Sequence, residues 1–542
     1  MQDIIKKHAL LNAIEYNGKA QSQAVLGKVL GEKPELKKDI ATLGKEISRI
    51  VEEINSWTLE KQKKELKKFG KIKKPKKIER EGLPELPDAV KGKVVTRFAP
   101  EPNGYLHLGH LKAAVLSYLY AKKYKGKVIL RFEDTNPEKE KKEYFDAIRK
   151  DLKTFGLKFD KEVKESDFME IFYRHAEELI EKGNFYVCTC HQEKIKEMRA
   201  KGLSCPCRDR NKKENMKLWK KMLKDARQGS MVVRLKTDPA HINPALREPS
   251  ILRVVETPHP LKGKKYRVYP MYNFACTIMD HLLGITHVLR DKGFENDSKI
   301  QEILYSIFEW KVPVIIQFGR LKTVAGIPMK KRKLKEMIER GELKSFEDIR
   351  IPTPRNLMKR GFRPEAIKRL IEEIGPSKTD IDVSFEILET YNRRIIDPLS
   401  ERFFFVGEPI DITIDKLPMR TVKAPIFPGK RKYRRIPVTK KIFVEKIDFT
   451  QYRGKEVRLM HFCNIILDKK SKVIGKNLKD VPKIHWVSTK NVKIKIIMPD
   501  GNEIEGLAEP EIKKIKHNQT VQAERIGFLR CDKAGLFYFA HK

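Results

Sequence analysis

Two histidines three residues apart, His107 and His110, lie in RFAPEPNGYLHLGH, where a strand-to-helix loop enters a helix. At that spacing on a first helical turn, both rings lie on the same side. A helix N-terminus offers free N–H groups and partial positive charge, so it draws phosphate oxygens. Imidazoles placed there could donate hydrogen bonds to a phosphate in its transition state. Gly104 and Gly109 let the backbone come close to a ligand. Taken alone, H-x-G-H also describes surface or capping histidines, and the flanking residues must decide.

A second group is CTCHQEKIKEMRAKGLSCPC, which sets Cys188, Cys190, Cys205 and Cys207 as two C-x-C pairs flanking a helical segment. Four thiolates suit one tetrahedral Zn²⁺, in a closed and therefore structural site. Free buried cysteines or a disulfide are the competing readings, and the adjoining His191 is an alternative ligand. Cys276, Cys463 and Cys531 carry no motif and read as core. A third group, PMKKRKL from Pro328 to Leu334, concentrates cations that suit a triphosphate, or else forms a solvated basic helix face.

The elements that position these residues follow from periodicity. Ile4, Ile5, Leu10, Leu11, Ile14, Leu36, Ile40, Ile47, Ile50, Val51 and Ile54 give an N-terminal helical region over 1–62. A Lys- and Pro-rich linker follows over 63–92. From there KVVTRF, LKAAVLSYLYAKKY, KVILRFE and KEYFDAIRKDLKTFG alternate strand and helix, which points to a parallel α/β sheet. MVVRL, KYRVYPMYNF, ITHVLR and VPVIIQF read as further strands. Residues 328–395 turn helical, and 396–542 become short strands broken by Pro and Gly, as in one or two β-barrels. The fold class is thus multidomain α/β plus all-β.

Lys and Arg number 115 against 73 Asp and Glu, a net charge of +42. So large a surplus favours a polyanion as partner. No run of about 18 apolar residues suggests a membrane span. The N-terminal MQDIIKKHALLNAIEYNGKA reads as an amphipathic helix rather than a secretory signal. Paired C-x-C motifs fit a reducing compartment, so a cytoplasmic location is expected.

The flanks of H-x-G-H carry a resemblance. VTRFAPEPNGYLHLGH, LRFEDTNPEKE, VYPMYNFACTIMDHLLGITHVLR, GRLKTVAGIPMKKRKL, DGNEIEGLAE, QAERIGFLR and FYFAHK occur in that order from Val94 to Lys542. The whole resembles the glutamyl/glutaminyl branch of the class I aminoacyl-tRNA synthetases, in its archaeal and eukaryotic form with β-barrel C-termini. The resemblance implies a Rossmann-like catalytic domain over 93–190 and 268–327, with an acceptor-end-binding insertion over 191–267 at the cysteine knuckle. A helical tRNA-stem-contact domain over 328–395 and anticodon-binding barrels over 396–542 complete it.

It also implies roles. His107, Gly109 and His110 would bind ATP, the histidines stabilising departing pyrophosphate, together with Met329, Lys330 and Lys331 of a K-M-S-K-S-type loop. Lys331 falls on the functional lysine of that loop, while Lys330 replaces the usual serine. Arg97 would hold a substrate carboxylate, Glu133 the α-ammonium, and Tyr272 would line the side-chain pocket. Glutamyl members carry an arginine after G-I-T-H where glutaminyl members carry an uncharged residue; here it is Arg290. The expected activity is ATP-dependent joining of L-glutamate to tRNA-Glu, with Mg²⁺ shielding the phosphates, structural Zn²⁺, and a monomeric chain. Charging of tRNA-Gln as well stays open. A glutaminyl enzyme and a non-catalytic tRNA-binding paralogue are the alternatives.

Overall fold

The computed structural model describes residues 2–15, 18–33, 35–36, 40–69, 82–324, 327–328, 331–345, 348–427, 429 and 431–542. They fall into two compact units, Met1–Glu81 and Gly82–Lys542.

The first unit packs helices Gln2–Glu15, Ser22–Glu32, Ile40–Asn55 and Leu59–Lys67. Leu43, Ile47, Ile50, Val51 and Ile54 recur at helical spacing and are buried with Ile5, Leu10, Val25 and Val29. Thr58 caps the last helix, accepting from the Lys61 amide. That helix crosses the boundary expected at residue 62, because Leu66 and Phe69 still pack on this core. The expected linker also ends early: Leu83 and Leu86 are buried in the core of the second unit. Lys123 Nζ donates to the Leu83 carbonyl there at 2.6 Å. The middle of that stretch, 70–81, lies outside the described residues.

The second unit begins with strands Val95–Phe98, Lys127–Phe132 and Lys161–Lys164, paired in parallel in that order. Strands His287–Asp291 and Val314–Phe318 form a second parallel pair. Thr286 joins the two groups: its amide donates to Val95 O at 2.9 Å, and its Oγ1 accepts from the Val95 amide at 2.8 Å. Helices Leu108–Lys123 and Lys142–Thr154 connect the first three strands, since parallel neighbours need a crossover connection. Ligands bind such sheets beyond the carboxyl ends of the strands. Arg97, Arg131, Arg290 and Gln317 all stand near those ends.

An antiparallel sheet interrupts this frame, in the order Phe185–Cys188, Val232–Leu235, Ser250–Val254, Val268–Pro270. Its two edge strands lie just outside the 191–267 stretch expected for the insertion. KYRVYPMYNF, expected as a strand throughout, is a strand only to Pro270 and a helix from Tyr272 to Leu282. The apolar residues Phe274, Ala275, Ile278 and Met279 recur at helical spacing there, within a run buried throughout from Phe274 to Asp280. Within the region expected to be helical, a short strand, Ile381–Val383, pairs with Leu321–Val324.

Beside a two-stranded sheet, Thr421–Pro425 with Tyr433–Pro437, the C-terminal strands form two seven-stranded sheets. In each, the two end strands are consecutive pieces of one segment. Glu401–Phe403 pairs with Thr520–Ala523 on one side, and Phe405–Val406 pairs with Glu503–Ala508 on the other. Likewise Lys483–Ile484 pairs with Glu456–Leu459, and Trp486–Ser488 pairs with Lys441–Glu445. Both sheets therefore close on themselves, which removes open edges. RFFFV also separates the barrels: Phe403 and Phe405 face one core, and Phe404 faces the other.

The break at Phe404 is held by Glu509, whose carboxylate accepts from the Phe404 amide at 2.6 Å and from Arg434 Nε at 2.9 Å. All three residues are buried. Removing one member of a buried ion pair costs about 3–5 kcal/mol. Glu509→Ala is thus expected to bring forward an unfolding transition in scanning calorimetry, with Glu509→Gln less affected. A profile like the parent's would show that barrel closure does not depend on this carboxylate.

Candidate active site

His107 is the N-cap of the Leu108–Lys123 helix, in extended backbone. Its Nδ1 accepts from the amides of Gly109 at 3.0 Å and His110 at 3.3 Å. His110 Nδ1 in turn accepts from the His107 amide at 3.4 Å, completing a capping box. The two rings stack with centroids 3.6 Å apart. Since each Nδ1 accepts from a backbone N–H, the neutral rings carry their proton on Nε2. Gly109 has a local reason as well: a Cβ there would come within 2.8 Å of the His107 ring.

Lys112, further along this helix, is buried, and its Nζ donates to Gly319 O at 2.9 Å while lying 4.7 Å from the Phe318 ring centroid. Burial lowers its pKa to about 8. It ties the helix to the strand Leu321–Val324, which runs antiparallel to Ile327–Pro328. The next helix begins at Lys331. Met329 and Lys330 lie outside the described residues.

Beneath the loop after Val95–Phe98 lies a buried charge cluster. Asp280 Oδ1 accepts from Arg97 Nε at 3.1 Å and from Arg131 Nη1 at 2.5 Å. Burial would raise the Asp280 pKa, but the two guanidiniums outweigh it and hold it at about 2. Arg131 also meets Glu133 at 3.0 Å and Glu165 at 3.2 Å. Burial pushes the Glu165 carboxyl well above its usual range. The Glu133 carboxyl is raised as well, by burial, against the pull of Arg131 and Arg97. Cys276 Sγ lies 3.3 Å from Arg131 Nη2 and 3.4 Å from Asp280.

Next to Glu133, Asp134 accepts from the Ser166 amide at 2.9 Å and the Ser166 hydroxyl at 2.7 Å. His259 Nε2 reaches Asp134 O at 3.0 Å. Arg253 of the antiparallel sheet donates to Asn136 at 2.6 Å. The loop after Lys127–Phe132 is thus fastened to the inserted sheet.

Arg290 is 4% exposed. Its Nη2 donates to Ser298 Oγ at 2.6 Å and Gln301 Oε1 at 2.8 Å, and its Nη1 to Tyr272 Oη at 3.1 Å. Its Nε is buried without a partner. Among the described residues, then, this guanidinium has neutral acceptors only, whereas Arg97 and Arg131 have acids. Tyr272 packs on Phe294 with ring centroids 5.2 Å apart. Burial raises its phenol pKa well above the ordinary value. The structure brings together Arg97, Glu133, Tyr272 and Arg290, the residues singled out by the motifs. The motifs do not point to Arg131 and Gln317, which stand on strands, or to Asp280, Ser298 and Gln301, which stand on helices; the i, i+3 spacing of Ser298 and Gln301 is the one local signal among them.

The four cysteines come together, with all ligand atoms within 4.8 Å of one another. Cys188 Sγ lies 3.6 Å from Cys205 Sγ, and Cys190 Sγ lies 3.7 Å from Cys207 Sγ. Sulfurs bound at about 2.3 Å around a tetrahedral centre would be about 3.8 Å apart, so this donor set fits Zn²⁺. A disulfide would need about 2.05 Å.

Comparison with known proteins places the chain in a family. Residues 93–398 match the family model of tRNA synthetases class I (E and Q), catalytic domain. Residues 400–482 and 483–532 match two models of the anti-codon binding domain of the same synthetases. A glutamate–tRNA ligase of Pyrococcus furiosus is 41% identical over 578 residues, covering 100% of both chains. One from Pyrococcus abyssi is 42% identical, covering 98% of this chain and 97% of its own. A solved structure of a glutamate tRNA ligase from Elizabethkingia meningosepticum, in complex with its amino acid, aligns with a TM-score of 0.43 at 20% identity, over 57% of this chain and 70% of that one. With the catalytic-domain model spanning more than half its length, this chain belongs to the class I tRNA synthetases of the glutamyl and glutaminyl branch.

Proposed function

We propose that this chain activates L-glutamate with ATP and transfers it to the 3′-terminal adenosine of tRNA-Glu, the activity for which its Pyrococcus relatives are named. The observation that carries the reading is Arg290: a buried guanidinium with only neutral protein partners. An uncompensated buried charge is costly, and the γ-carboxylate of glutamate supplies the missing counter-charge. A γ-amide would leave it unmet, which disfavours the glutaminyl reading.

In the first step a substrate α-carboxylate oxygen attacks the α-phosphorus of ATP, the bond to the β-phosphate oxygen breaks, and pyrophosphate leaves. Arg97 holds that carboxylate and Glu133 the α-ammonium, whose charge favours the ionised form of Glu133. Tyr272 lines the side-chain pocket. His107 and His110 donate from Nε2 to phosphate oxygens at the helix N-terminus, where Gly109 keeps the backbone close. Met329, Lys330 and Lys331 contribute to ATP binding. Mg²⁺ accompanies ATP and screens its charge. In the second step the 2′-hydroxyl of the terminal adenosine attacks the activated carbonyl, its proton is lost, and AMP leaves. No side-chain nucleophile is needed, so positioning and electrostatics do the work.

The C-terminal barrels take the anticodon, and the inserted sheet takes the acceptor end. Zn²⁺ bound by Cys188, Cys190, Cys205 and Cys207 would hold the tip of the inserted sheet as a closed structural site. The chain acts as a monomer in the cytoplasm.

Aminoacylation of tRNA-Glu and tRNA-Gln with labelled glutamate and glutamine tests the reading. Glutamate transfer is expected; glutamine transfer would overturn the role of Arg290, and no transfer by folded protein would favour a tRNA-binding paralogue. Loss of a partner from a buried charge pair costs about 2–5 kcal/mol. Arg290→Gln should therefore lower kcat/KM for glutamate at least ~30-fold. His110→Ala should slow ATP–pyrophosphate exchange about 100-fold, as loss of one transition-state donor does elsewhere. Elemental analysis is expected to find about one zinc per chain, and Cys205→Ser to lower it. Less than half an equivalent in the parent protein would remove the zinc assignment.

A further inference from the structure

The residues behind Arg290 decide what charge the side-chain pocket presents. We propose that Gln301 and Ser298 are specificity-determining positioning residues: they fix the Arg290 guanidinium while leaving its charge intact, and so commit the pocket to an acid rather than an amide. This rests on the reading of Arg290 as the partner of the substrate γ-carboxylate.

Helix Glu295–Phe308 puts Ser298 and Gln301 three residues apart, on one face. Both are buried, and together they meet Arg290 Nη2 at 2.6 and 2.8 Å. A hydroxyl has one proton to give. Ser298 donates its proton to Phe294 O at 3.0 Å, and it also accepts from Gln317 Nε2 at 2.8 Å. Its lone pairs are thereby aimed at Arg290 and Gln317, making it a fixed acceptor. Gln301 offers Oε1, while its Nε2 is buried without a partner. An amide that leaves one end unsatisfied is a poor choice for packing alone. It makes sense where an acceptor is needed and a negative charge is not.

The same helix carries acids, and none is turned to Arg290. Asp297 accepts from Asn273 at 2.9 Å, and Glu295 and Glu302 are exposed. A glutamate at 301 has the shape of the glutamine and would put a carboxylate 2.8 Å from Nη2. The pocket would then meet an incoming γ-carboxylate with a neutralised pair, while a neutral γ-amide would lose nothing.

The test is steady-state aminoacylation by the full chain, with glutamate and with glutamine, of Gln301→Glu, Gln301→Met and Arg290→Gln. A charge-assisted hydrogen bond corresponds to ~10–100-fold in affinity. Gln301→Glu is expected to raise KM for glutamate by that factor and to raise the glutamine-to-glutamate ratio of kcat/KM in step, with KM for ATP within about twofold of the parent. Gln301→Met, which removes the acceptor without adding charge, should leave that ratio within about threefold. An unchanged glutamate KM in folded Gln301→Glu, or an ATP KM that rises with it, would overturn the proposal. Full glutamate activity in Arg290→Gln would instead overturn the reading beneath it. Should Gln301→Glu fail to fold, Ser298→Asp places the charge at the other acceptor and carries the same expectation and the same overturning result.

Discussion

A guanidinium taken out of water must find compensation, and the catalytic unit of this chain is built around three of them. Arg97, Arg131 and Arg290 are each at most 4% exposed. Two share Asp280, and Arg131 adds Glu133 and Glu165. The third is held by a serine, a glutamine and a tyrosine. Neutral acceptors satisfy hydrogen-bonding geometry but leave the charge. The fold therefore bears the cost of one buried positive charge, which a ligand carboxylate would relieve. A site of this kind discriminates strongly, because the wrong ligand leaves it unmet.

Bearing that cost needs a rigid surround, and the parallel strands provide it. Their carboxyl ends converge, so residues far apart in sequence reach one place without long flexible side-chain paths. Thr286, bonded to Val95 in both directions, keeps the strand of Arg290 beside that of Arg97. At the other end of the unit, Pro354–Arg360 plays a related role. Arg355 meets Asp151 of the Lys142–Thr154 helix at 2.7 Å, and Arg360 donates to Ala540 O of the C-terminal barrel strand Leu536–His541 at 3.0 Å. One seven-residue helix thus touches both the parallel-sheet frame and a barrel, and at the following Gly361 a Cβ would come within 3.1 Å of Arg530.

What the sequence made legible depended on where the chemistry is written. H-x-G-H and the four cysteines are local patterns, and local patterns survive translation into space. The arginine after G-I-T-H could be placed in a pocket, yet its uncompensated state could not be read, since that depends on Ser298 and Gln301 and on Asp297 turning away. Asp280 and Arg131 were invisible for the same reason: each is an ordinary charged residue until the fold buries them together. Barrel closure was hidden differently. RFFFV reads as one strand, and only the pairing of its two halves with opposite ends of the sheet shows that it is a seam. Tyr272 falls in KYRVYPMYNF, which reads as a strand by itself, while the apolar spacing of Phe274, Ala275, Ile278 and Met279 that goes with a helix lies mostly beyond that run.

The two readings of H-x-G-H, capping residue and phosphate ligand, turn out not to compete. His107 Nδ1 and His110 Nδ1 both accept backbone protons, and that is capping in the ordinary sense. But an imidazole that accepts at Nδ1 must, when neutral, carry its proton at Nε2, so the cap fixes the tautomer. It also fixes ring orientation, with the two rings stacked and Gly109 reduced to a hydrogen so that His107 can fold over it. A serine or aspartate would cap the helix as well, but it would spend its polar atom on the backbone and leave no second donor on the far side. Histidine is the side chain whose two ends can serve the helix and the phosphate at once, and this is a physical reason for the motif to open a helix rather than lie within one.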